Sequence, residues 1–160
     1  MAYEISEGAA AAAMFLSQSD YSELNKGTEA AVVNVMKKMH ANLKNVEMSQ
    51  NERMHYEKWF NPTTLSTTFA NKGKDSKLTA VVQGCSAARG IKIWFKTMGH
   101  NFNPKPKNVF VTGAEWKPAI SFLKMSVGGW DDYNSSDLVI ILGKCYYGIS
   151  LKEKTKKKLC

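Results

Sequence analysis

An aspartate, a serine and a lysine fall on two adjoining apolar runs near the C-terminal end of this 160-residue sequence. Asp137 opens the run Leu138-Val139-Ile140-Ile141-Leu142, which is short, rich in β-branched residues and flanked by Asn-Ser-Ser and Gly-Lys, the pattern of a buried strand. Gly143 and Lys144 make a tight reversal. The next run, from Cys145 to Lys152, alternates by twos: Tyr146, Gly148, Ser150 and Lys152 share one face, and Cys145, Tyr147, Ile149 and Leu151 the other. With the turn centred on Gly143 and Lys144, residue i faces roughly residue 287 − i, which sets Asp137 opposite position 150 and close to Lys152. A carboxylate there can hold a divalent cation, and an ammonium beside it can position a water or neutralise charge on a phosphate in transfer.

An aspartate followed across a hairpin by (Asp/Glu)-x-Lys resembles the signature of the PD-(D/E)xK nuclease superfamily. Asp137 matches the aspartate, and Ser150-Leu151-Lys152 matches the second half with serine in place of the acid. The phrases SSDLVI and YGISLK look like a phage-type variant with S-x-K for E-x-K, and the resemblance covers about thirty residues. It implies a restriction-endonuclease-like core and a metal-dependent endonuclease, with DNA favoured over RNA as substrate. Mg²⁺ or Mn²⁺ would be held by Asp137, a backbone carbonyl near Leu151 and a helix-borne acid, for which Glu29 is the candidate. Lys152 would orient the attacking water and Ser150 would hydrogen-bond a metal-bound water. The family core continues past the lysine strand with a helix and a further strand, whereas only eight residues follow Lys152 here. A fragment of a larger protein, a sheet completed by the N-terminal half, and an inactive relative are the alternatives.

Each residue also has a plainer reading. Asp137 can cap a turn, Lys152 can be an edge-strand charge that discourages aggregation, Ser150 can be an ordinary serine, and Glu29 can complement a helix dipole. The rival function class is therefore a non-catalytic nucleic-acid-binding, virion-associated or host-protein-interacting phage protein with a degenerate nuclease fold.

Twenty-two Lys and Arg against fourteen Asp and Glu give a net charge of +8, which favours a polyanionic partner. Lys154, Lys156, Lys157 and Lys158, directly after the candidate lysine strand, would hold a nucleic-acid backbone or form a solvated tail. Arg89, Lys92 and Lys96 lie on the polar side of a helix, where they would meet phosphates or solvent. Cys85, Cys145 and Cys160 form no CxxC pair and have no histidine at ligand spacing, which argues against zinc and a disulfide framework and fits a reducing compartment, the cytoplasm or a virion. The Ala9 to Ala13 run is too short to cross a bilayer, so no membrane association is expected. His40, His55 and His100 read as surface or packing residues. The four tryptophans, Trp59, Trp94, Trp116 and Trp130, read as core or hinge aromatics, and Asp131 and Asp132 as turn acids or additional ligands.

Positioning these residues requires a scaffold. Residues 3–17 are an alanine-rich helix and 17–26 a polar connector. From Thr28, Ala31, Val32, Val35, Met36, Met39 and Leu43 recur at helical spacing. Residues 49–60 form a helix with Ser49 as N-cap and Glu52 as its capping-box partner, and Pro62 stops it. Residues 61–77 are a polar loop and a candidate mobile segment. Residues 78–98 form a helix whose Gly84, Ser86, Ala87 and Ala88 allow close approach of another element. Residues 108–112 form a strand and 115–125 a short helix. The expectation is one α+β domain over 1–160: helical to 98, a small mainly antiparallel sheet over 108–153, and a basic tail from 154. A homodimer or a larger parent protein stays open.

Overall fold

The computed structural model describes residues 4–61, 77–100, 108–113, 117–124, 136–142 and 144–151. The chain is α+β: a mostly helical N-terminal half followed by a four-stranded mixed sheet. The helices are α1 (Ile5–Ala13), α2 (Gln18–Glu23), α3 (Glu29–Asn42), α4 (Gln50–Trp59) and α5 (Lys77–Thr97). The strands are β1 (Val46–Glu47), β2 (Asn108–Val111), β3 (Leu138–Leu142) and β4 (Cys145–Ile149), ordered β1-β2-β3-β4 across the sheet.

The alanine run lies at the centre. Ala9, Ala10, Ala11, Ala12 and Ala13 are all fully buried, and five consecutive helical positions cover every side of the helix. Methyl side chains let neighbours come close to its backbone. A Cβ at Gly84 of α5 would lie 2.6 Å from the Ala9 Cβ and 2.8 Å from its carbonyl carbon, so glycine is needed where α1 and α5 cross. The glycines that weaken α5 as an isolated helix do not break it, because this crossing supplies the burial that propensity lacks.

Residues 17–26, expected as a connector, instead carry α2. Ser17 and Asp20 form a reciprocal capping box, with the Ser17 N–H donating to Asp20 Oδ2 (2.9 Å) and the Asp20 N–H to Ser17 Oγ (3.2 Å). Buried Tyr21 fastens the short helix by donating its hydroxyl proton to the Ala13 carbonyl (2.5 Å). The helices of residues 28–44, 49–60 and 78–98 form as the periodicity indicates. Ser49 accepts the Glu52 N–H (3.2 Å), while the Glu52 carboxylate accepts from the Ser49 hydroxyl (3.1 Å).

The sheet is mixed, because β1 pairs in parallel with β2 through Val46↔Val109 and Glu47↔Phe110. Two residues are too few to leave a periodic signal. The β3–β4 hairpin pairs Leu138 with Ile149 and Leu142 with Cys145, so facing residue numbers sum to 287, as the turn geometry requires. Leu138 and Ile140 join the main core under the helices; Val139 packs with Phe110 and Ile120 on the other face. The polar loop over 62–76, most of the 115–125 segment's flanks, Asp131, Asp132 and residues 152–160 lie outside the described residues. Among the described residues no helix is long and apolar enough to cross a membrane.

Candidate functional site: an acidic cluster at one end of the sheet

Asp137 is held where the hairpin count placed it. Its N–H donates to the Ile149 carbonyl (2.8 Å), and its Oδ2 accepts the Leu151 N–H (2.6 Å). From the neighbouring strand, the Thr112 N–H donates to the Asp137 carbonyl (3.1 Å), and the buried Thr112 hydroxyl donates to the Ser136 carbonyl. The backbone on both sides of the aspartate is thereby fixed by hydrogen bonds that water cannot easily replace.

Two further acids converge on this point. Glu7, in the first turn of α1, lies close enough to Asp137 and to Glu52 of α4 for both to add negative potential to it. Burial, followed by the charges of Asp137, Glu4 and Glu52, pushes the Glu7 carboxyl up to about 7. Gly113, just past β2, leaves the necessary room, since a Cβ there would lie 2.8 Å from Glu7 Oε2 and 3.8 Å from Glu52 Oε2. Glu52 is fully buried, with Oε1 on the Ser49 hydroxyl.

The helices that carry these acids are locked to each other. Glu52 and Tyr56 are four residues apart, so both fall on the same face of α4, and both are fully buried. The Tyr56 ring lies against Gly8, where a Cβ would come within 2.6 Å of it, and its hydroxyl donates to the Glu4 carbonyl (3.0 Å). One aromatic side chain thus sets the first turn of α1, and with it Glu7, against the helix bearing Glu52.

The candidates named from the sequence fare differently. Asp137 and Ser150 lie just beyond the Leu138–Ile149 pair that ends the hairpin ladder, with Ser150 exposed. Leu151 contributes its N–H to Asp137. Glu29 caps nothing at this site: it is exposed in the first turn of α3, and the acids that gather on Asp137 are Glu7 and Glu52. Arg89 is exposed on α5. Lys92 is engaged within the fold, donating to the Leu16 carbonyl (2.6 Å) and standing 4.8 Å over the Tyr21 ring. Lys152, Lys154, Lys156, Lys157 and Lys158 lie outside the described residues. Cys85 is buried and free, and burial pushes its thiol up to about 12, which leaves it inert.

Trp94 departs from the core role expected of it, being 47 % exposed. It borders an open groove of about 310 Å³ between the Ala87 to Trp94 stretch of α5 and residues 149–151 at the end of β4.

Two adjacent carboxyl groups are the oxygen donor set of a hard cation such as Mg²⁺, which commonly takes one or two carboxylates and fills its remaining positions with water and substrate phosphate. Among the described residues, no three His, Cys, Asp or Glu side chains stand at metal-binding spacing. The arrangement supports two kinds of chemistry: cation binding, and proton exchange by a carboxyl group that titrates near neutral pH. No family model, curated protein or solved structure matches the chain.

Proposed function

We propose that this chain is a metal-dependent endonuclease that hydrolyses phosphodiester bonds, with DNA as substrate, at a centre built from Asp137 and Glu7. The observation that carries the reading is the Glu7–Asp137 pair itself. Two acids from opposite ends of the sequence come together at one end of the sheet, and burial together with the neighbouring charges raises the carboxyl of Glu7 to about 7. Like-charged groups held together against their repulsion are a feature of functional sites more than of structural ones. The Asp-hairpin-SxK pattern around the pair supports the phosphodiester assignment, and the +8 net charge suits a polyanionic substrate.

Asp137 and Glu7 would hold a divalent cation, which would supply charge neutralisation on the scissile phosphate and a more acidic water. The chain's own residues perform the remaining work. The Leu151 N–H holds Asp137 Oδ2 and fixes the carboxylate in one orientation. The Tyr56 ring packed against Gly8 sets the first turn of α1 and so holds Glu7 beside Asp137. Lys152, next in the chain after Leu151, supplies the ammonium that stabilises developing phosphate charge.

Incubating supercoiled plasmid and single-stranded DNA with the protein in Mg²⁺, Mn²⁺ or EDTA tests the reading. Nicking that needs metal and is lost in Asp137→Ala, Glu7→Gln and Lys152→Ala is the expected result. A folded wild type that binds DNA but cleaves nothing with either metal overturns it in favour of the non-catalytic binding protein.

A further inference from the structure

We propose that the groove between α5 and β4 receives an unpaired nucleobase stacked on Trp94, which makes single-stranded DNA the substrate class of the acidic centre. The inference rests on the phosphodiesterase reading for the chemistry it serves, but it is measured by binding alone.

The first support is the ring itself. Trp94 is 47 % exposed, yet it is braced edge-on by Phe95 (centroids 4.9 Å apart) and by Tyr147 of β4 (6.1 Å). Phe95 is fully buried and packs in turn against Tyr147 at 4.8 Å, and the Tyr147 hydroxyl shares a hydrogen bond with the His100 ring (3.0 Å). An exposed indole held by a fixed aromatic cluster loses little freedom when a second ring stacks on it.

The space beside the ring is the second support. On α5 the groove is lined by Ala87, Gly90 and Ile91, and a Cβ at Gly90 would meet nothing within 4 Å. At about 310 Å³ it sits at the lower end of ligand pockets, which run from roughly 300 Å³ upward. Its walls are apolar apart from Ser150, as suits a flat base rather than a sugar or a phosphate.

Position is the third. Leu151 lines the groove and donates its N–H to Asp137, and Ile149, which also lines it, accepts the Asp137 N–H. A nucleotide whose base entered the groove would have its backbone at the acidic centre. Five lysines occur among the seven residues that follow Leu151 in the chain, a run suited to phosphate contacts. In a duplex the base is stacked and paired, and must be unstacked at a cost of a few kcal/mol before it can enter such a groove. Single strands carry no such cost and gain about 1–3 kcal/mol per base stacked on an aromatic side chain.

The test is fluorescence anisotropy of a labelled 20-mer of thymidylate, and of a labelled duplex of equal length, with the full chain in EDTA so that no cleavage intervenes. Trp94→Phe keeps a stacking face, while Trp94→Leu keeps apolar bulk without one; thermal melts confirm that both variants fold. Expected are tighter binding of the single strand than of the duplex, a roughly 5- to 150-fold loss in Trp94→Leu, and near wild-type binding in Trp94→Phe. Equal affinity of Trp94→Leu and wild type, or preference for the duplex, overturns the proposal. If Trp94→Leu binds as wild type while metal-dependent cleavage persists, base stacking falls and the phosphodiesterase stands. If Trp94-dependent single-strand binding is found with no cleavage in either metal, the phosphodiesterase falls and the groove assignment stands.

Discussion

Glu7→Gln should make the protein more stable at pH 8 and leave it without activity. The Glu7 carboxyl titrates at about 7 in the fold against 4.5 in an unconstrained chain. The folded state therefore holds the proton more tightly than the unfolded state. Stability linked to that proton is complete below pH 4.5, falls as pH rises, and is gone above about 7. At about 1.36 kcal/mol per pKa unit the full effect approaches 3.4 kcal/mol, but Glu7 is only half-buried, and screening by solvent reduces it to on the order of 1–2 kcal/mol. Glutamine is neutral at every pH and keeps a donor for the Asp137 carboxylate. Urea unfolding in EDTA at pH 4.5 and at pH 8 measures the difference. The two proteins should be nearly equal at the lower pH, with the variant about 1–2 kcal/mol more stable at the higher one. A variant equal to or weaker than wild type at pH 8, or a gap that does not change with pH, refutes the claim that Glu7 is held in its ionised form against burial and its neighbours. The same variant tested for plasmid nicking shows whether the strain serves catalysis.

Gly84→Ala should cost roughly 1–3 kcal/mol, because the new methyl meets the Ala9 backbone at 2.8 Å, whereas Gly90→Ala on the same helix should gain about 0.5–1 kcal/mol, its methyl entering open space; chemical denaturation of the pair distinguishes them. Gly113→Ala should leave the melting temperature within a few degrees of wild type while reducing cleavage at least tenfold, since its Cβ displaces only the mobile end of Glu7 but moves it from Asp137. Thr112→Val should lower stability by about 1–2 kcal/mol by leaving the Ser136 carbonyl without the Thr112 hydroxyl, read by urea unfolding. If the lysines from Lys152 to Lys158 contact phosphates, the logarithm of single-stranded DNA affinity should fall against the logarithm of salt with a slope of about −3.5, and replacing Lys156, Lys157 and Lys158 with alanine should flatten it by about 2.

The hairpin was legible because strand alternation and a two-residue turn together leave one register, which pairs Leu138 with Ile149 and sets Asp137 beside residues 149–151. The crossing of α1 and α5 was legible in part: small residues at 84 and 86–88 announce a close approach, although not its partner. The acids that join Asp137 were not. Helical spacing marks α3, and the nuclease resemblance asks for a helix-borne acid, which draws attention to Glu29 in its first turn. Which helix end meets the sheet, however, is decided by tertiary packing, here by Tyr56 against Gly8 and by Gly84 against Ala9. A faint signal exists in Glu7 itself, an acid placed at the head of a helix whose following residues contain nothing polar. Trp94 escaped for a related reason, since periodicity puts it on a broad apolar face and says nothing of where β4 stops covering that face.

The alanine helix behaves as an axle with no clearance. A helix buried by large side chains can adjust, because a leucine or methionine can change rotamer when its neighbour shifts. Ala9 to Ala13 have no rotamers to change, and every side of the turn they span is occupied. The helix can neither slide along its axis nor rotate about it without a backbone meeting a backbone. The carboxyl of Glu7 is therefore aimed by the whole barrel of neighbours around the next turn and a half, and a single added methylene anywhere on that axle would be felt at the acidic centre.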